Sequence, residues 1–76
     1  MPLELRDDEA SLVGSCTADE ALEFSDWLAN SAQPKVDLAA CTHLHAALLQ
    51  TLLAYKPAIT ARPADPFLAR WISPLL

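Results

Sequence analysis

Seventy-six residues hold one domain at most, near the lower limit for a core that stands alone, and exclude an enzyme with a separate cofactor domain. Hydrophobic residues fill 53% of the positions, too many for intrinsic disorder. Five basic against ten acidic residues leave a net charge of −5, which argues against a nucleic-acid partner, since phosphate binding draws on clustered Lys and Arg.

Leu3 and Leu5 predict a short first strand, with Asp7-Asp8 at the turn after it. Ala10-Ser11-Leu12-Val13-Gly14-Ser15, an apolar stretch beside the only glycine, predicts a second. Thr17 and Glu20 have the spacing of a capping box, and Asp19 and Glu20 in a first turn suit the helix dipole. Ala18, Ala21, Leu22, Ser25 and Leu28 recur at helical spacing, while Asp19, Glu23 and Asp26 fall mostly elsewhere on the wheel. An amphipathic helix of about three turns is expected, closed by Asn30-Ser31 and Pro34.

Lys35-Val36-Asp37-Leu38-Ala39-Ala40 alternates as a strand, with Asp37 set at a strand end or paired with a base such as Lys35. Thr42 is placed to cap a helix from His43 to about Tyr55, ended by Lys56-Pro57. That helix carries two apolar stripes: Leu44, Leu48, Leu52 and Tyr55 on one, His45, Leu49 and Leu53 on the other. A helix apolar on more than one side is sandwiched in its own domain or faces a partner. Ala58-Ile59-Thr60-Ala61 predicts a further strand, and Asp65-Pro66 starts a last helix with Phe67, Leu68, Trp71, Ile72 and Leu75 on an apolar face limited by Pro74. The alternation of strands and helices implies one α/β domain over 1–76, a small mixed β-sheet of about four short strands with helices packed on it.

Charge is unevenly placed. Met1 to Asp26 holds eight acids against Arg6; Trp27 to Leu76 holds two acids against four bases. The acidic part reads first as a solvated face that keeps an apolar chain dispersed, and second as a steering patch for a basic partner. Met1–Arg6 lacks the basic start and apolar stretch of an export signal, and the apolar run Leu44–Tyr55 is too short for membrane insertion. A cytoplasmic location with reduced cysteines is therefore expected.

Two stretches carry a family resemblance. Leu12-Val13-Gly14 leads into Thr17-Ala18-Asp19-Glu20-Ala21, and Val36-Asp37-Leu38-Ala39-Ala40-Cys41-Thr42 leads into His43-Leu44-His45-Ala46-Ala47-Leu48-Leu49. In this order the chain resembles the STAS domain, the sulfate transporter and anti-sigma factor antagonist family, over about residues 3–75. The resemblance implies a cytoplasmic docking module that regulates a partner through the second helix and the loop before it. Members used as switches carry Asp-Ser-Ser/Thr-Gly at the start of that helix, where a kinase partner modifies a serine. The aligned stretch here is His45-Ala46-Ala47-Leu48, with no hydroxyl to modify. The resemblance therefore implies a constitutive protein binder rather than a phosphorylation switch.

The remaining chemistry-bearing residues admit other readings. Cys16, Cys41, His43 and His45 form a tetrahedral zinc donor set by residue type, although Cys-x-His-x-His running from a loop into a helix turns its side chains apart. Either cysteine beside a histidine admits nucleophilic catalysis, but with Gly14 as the only glycine there is no glycine-rich oxyanion or phosphate loop. Trp27, Phe67 and Trp71 are expected in the core rather than on a binding platform, although the two tryptophans together with Leu75-Leu76 can leave an exposed apolar patch on so small a domain. The reading that results is a non-enzymatic interaction module without a cofactor. Its contact surface takes in Cys41, Thr42, His43, His45, Ala46, Leu49 and Leu53. Its partner is a kinase-like signalling protein, a transporter subunit or a second copy. A small metal-binding module is the alternative, and a structural subunit with a buried helix is a third.

Overall fold

The structure is a computed structural model that describes residues 3–76; the two opening positions of the Met1–Arg6 reading lie outside the described residues. Strands β1 (Leu3–Leu5) and β2 (Glu9–Leu12) form an antiparallel hairpin, with Leu3 opposite Leu12 and Leu5 opposite Ala10. Asp7 and Asp8 sit in its turn, which the Arg6 amide closes by donating to the Glu9 carbonyl at 2.9 Å. Strand β4 (Lys35–Asp37) runs parallel to β2, and β6 (Ala58–Ala61) runs parallel to β4. The result is a mixed four-stranded sheet in the order β1-β2-β4-β6.

Gly14 interrupts the second strand. Its φ of +67° lies where side chains with a Cβ are strained, and from it the chain continues as a separate strand, β3 (Gly14–Cys16), with Val13 between the two. β3 pairs in parallel with β5 (Cys41–Leu44), with a register shift between Gly14 and Ser15. After β4, the Asp37 carboxylate accepts from the Ala39 amide at 2.9 Å, which turns the chain toward β5. Asp37 thus sits at a strand end, while Lys35 pairs with Asp8 at 3.7 Å.

Thr17 and Glu20 make the expected capping box, but the turn it opens, Ala18–Glu20, is a 3-10 turn, and helix α1 covers Ala21–Asn30. Its inward positions are Phe24 and Leu28, with Ala21 and Trp27 half-buried; Leu22 and Ala18 are exposed. This corrects the predicted stripe. Phe24 is the largest fully buried side chain, and seating it in the core turns Leu22, two residues away on the wheel, outward. Trp27 lies beside Phe24 with ring planes 9° apart, and its indole N–H donates to the Arg6 carbonyl at 2.8 Å.

Helix α2 (Ala46–Tyr55) packs beside α1, and α3 (Pro66–Trp71) follows β6 and leads into a 3-10 turn, Ser73–Leu75. Ala10, Leu12, Val36 and Leu38 join Phe24, Leu28, Leu48, Leu52 and Leu68 in one core. The alternate strand positions are polar: Glu9, Ser11, Lys35, Asp37 and Thr60. There Thr60 donates to Glu9 at 2.9 Å, and Arg6 covers Ser11 at 2.8 Å. One face of the sheet is thus apolar and the other polar, as a one-sided sheet requires. Among the described residues no helix is long and apolar enough to cross a membrane.

Candidate functional site

Helix α2 has no ionisable residue between Ala46 and Tyr55, and its two stripes meet different surroundings. Leu48 and Leu52 are fully buried, with Leu44 half-buried before them. Leu49 is half-buried, while Leu53 and Tyr55 are exposed. One apolar side therefore belongs to the core, and the other is left partly outside. Lys56 ends the helix in the left-handed region, at φ 50°, its amide donating to Leu52 at 2.8 Å, and Pro57 prevents continuation.

The residues before the helix depart from expectation. Thr42 does not cap it and His43 is not its first residue: both lie in β5, whose backbone pairs with β3. Pairing with a neighbouring strand outweighs the local capping signal. His45 takes the cap instead, its Nδ1 accepting from the Ala47 amide at 3.0 Å. Thr42, His43, His45 and Ala46 are exposed, as the contact reading needs. Cys41 is fully buried and leaves that surface. Its place in β5 turns it into the core.

The last helix extends the exposed apolar surface. Asp65 caps it by accepting from the Phe67 and Leu68 amides, both at 3.1 Å, with Pro66 at the first helical position as the sequence predicts. Only Leu68 of the expected apolar face is fully inside. Phe67, Trp71 and Leu75, four residues apart, are 65%, 55% and 55% exposed. Leu75 faces α2 across a cleft of about 290 Å³ lined by Leu52, Leu53, Pro57, Ile59, Leu75 and Leu76, with Lys56 as its charged residue. Arg70 stacks on the Trp71 ring, 5.0 Å from its centroid. Sequence reasoning left Phe67, Trp71 and Lys56 out of the contact surface. The signal that bears on them is spacing: Phe67 and Trp71 are four residues apart and share one side of α3, while Leu68 and Ile72 share another that faces the core.

The cysteines do meet. The Cys16 and Cys41 side chains are neighbours in the core and both are inaccessible to solvent; the Cys41 thiol donates to the His43 carbonyl at 3.5 Å and the Cys16 thiol faces the Val13 carbonyl at 4.0 Å. Burial chiefly, then the charge of Cys41, pushes the Cys16 thiol up to about 11, and burial raises Cys41 as well. A thiol held protonated is a poor nucleophile and a poor metal ligand. His43 and His45 lie at the exposed surface, so the four candidate ligands do not gather; among the described residues no group of three or more His, Cys, Asp or Glu is placed to hold a metal ion.

Comparison with protein-family models and with curated proteins finds no match. The functional reading rests on the chain's own geometry.

Proposed function

We propose that this chain is a non-enzymatic docking module that holds another protein on the outer side of α2 and the adjoining face of α3. The observation that carries this is the set of exposed apolar side chains: Leu53 and Leu75, which line one cleft, and Phe67 and Trp71 on α3. The accessible surface of 4501 Å² matches the roughly 4,500 Å² expected for a compact monomer of 8.2 kDa. The exposed aromatics are therefore a feature of a well-packed surface rather than a sign of loose packing. Exposed apolar area of this kind, rimmed by polar groups, marks interaction sites.

The mixed sheet with helices between its parallel strands is in keeping with the STAS resemblance, which supplies the expectation of a cytoplasmic regulatory partner. With alanines at positions 46 and 47, the helix start offers no hydroxyl for a phosphorylation switch. Binding through this face is accordingly constitutive.

The test is a photo-crosslinking residue placed at Leu53 or at Trp71, with Glu4 on the polar side of the sheet as the control position. Discrete adducts from positions 53 and 71 but not from position 4 are expected. Equal labelling from all three, or none from 53 and 71, overturns the reading.

A further inference from the structure

Two surfaces of this chain complement each other in charge. Lys56 lines the cleft with Leu53 and Leu75, and Arg70 stacks on the exposed Trp71 of α3, which also carries the exposed Phe67. The outward side of α1 is opposite in charge. Leu22 is 73% exposed there, with Asp19 in the 3-10 turn before it and Glu23 and Asp26 beside it on the helix, and no Lys or Arg lies between Thr17 and Pro34. Among the described residues the ion pairs are Arg6–Glu9 and Lys35–Asp8, so these three acids, Lys56 and Arg70 take part in none.

We infer that the chain binds a second copy of itself by seating the acidic Leu22 face of α1 from one copy on the cationic aromatic face of α3 and α2 from the other. The inference names the partner of the docking face and rests on that reading. Leu22 supplies the apolar knob for the cleft edged by Leu53 and Leu75. Trp71 supplies the broad aromatic surface enriched in binding hot spots. Docking the aromatic face on its own counterpart sets Lys56 and Arg70 against like charges; docking it on α1 sets them against three carboxylates. The contact joins two different surfaces, so each copy offers both halves, and assembly closes into a dimer or ring or grows as a chain.

The test uses purified full chain in sedimentation velocity across a concentration series at low and high salt. Association that weakens with added salt is expected. Leu22→Lys removes one half and Trp71→Asp the other; both positions are exposed, and circular dichroism confirms that each variant folds. Each variant alone associates more weakly, Trp71→Asp by about thirtyfold. Mixed at equal amounts, the two variants restore a complex of one copy of each, because every mixed pair retains one intact contact. A parent chain that stays monomeric to about 1 mM overturns the inference. So does a Leu22→Lys chain that associates like the parent, or a mixture that stays monomeric. A monomeric parent with crosslinked adducts of foreign mass at position 53 or 71 ends self-association while the docking reading stands; absence of both ends the two together.

Discussion

The Arg62 guanidinium donates through Nη1 to the carbonyl and to the hydroxyl of Ser73, at 2.9 and 2.8 Å. Arg62 follows β6 directly, and Ser73 opens the final 3-10 turn, so one side chain fixes the segment that carries Leu75 against the sheet edge. The cleft between Leu53 and Leu75 depends on that tie. Arg62→Ala should cost about 1–2 kcal/mol in urea denaturation and speed hydrogen exchange at the Leu75 amide, which otherwise donates to Ile72 at 2.9 Å. Lysine at this position, a point charge without the planar fork, should restore only part of the loss.

Phe24 and Leu22 test the orientation of α1. Phe24→Ala opens a cavity in a fully buried site and should cost about 3–5 kcal/mol. Leu22→Ala, on the exposed side, should stay within about 0.5 kcal/mol. Thermal or urea unfolding of the two variants reads the difference, and equal costs would place Leu22 inside.

His45 holds the first turn of α2 through the Ala47 amide. His45→Ala removes that acceptor and should cost about 1 kcal/mol, whereas His45→Asn, a strong cap residue, should keep the stability of the parent. If the imidazole's role is an interface contact as well, His45→Asn will lower crosslinking from position 53 while leaving the unfolding midpoint in place.

The buried thiols make stability depend on alkaline pH. Cys16 is raised by burial from 9.0 to about 11 in the folded chain, so between those values the unfolded chain has released a proton that the folded chain still holds. Stability is fully present below pH 9 and falls as pH rises toward about 11, with Cys41 adding in the same direction. Cys16→Ala should flatten this slope in urea titrations run on either side of pH 9. A slope that survives in the Cys16→Ala, Cys41→Ala double variant would assign it to other groups.

Local signals were legible where they rest on backbone chemistry within a few residues. The Thr17–Glu20 box, the Asp65-Pro66 start and the Lys56-Pro57 stop are all present, because a cap needs only a side chain and the amides beside it. The start of α2 was not legible. Thr42 is a competent cap, but residues 41–44 gain more by pairing with β3, which lies twenty-five or more residues back in the chain. The candidate site was half legible: the outer stripe of Leu49 and Leu53 was readable from periodicity, whereas the exposure of Phe67 and Trp71 depends on which side of α3 faces the core, and the place of Lys56 depends on the chain folding to bring Leu75 and Leu76 to the same cleft.

The amino-acid order alone therefore determined the α/β class, the three helical segments, the lack of a modifiable hydroxyl at positions 46 and 47, and the surplus of apolar helix surface. Tertiary structure decided which apolar residues stay outside. Helical periodicity is a property of one segment, but burial depends on the neighbours available to cover it. Phe24 faces the core and so turns Leu22 outward, and α3 lies with its Leu68–Ile72 side toward the core, which leaves Phe67 and Trp71 on the other side.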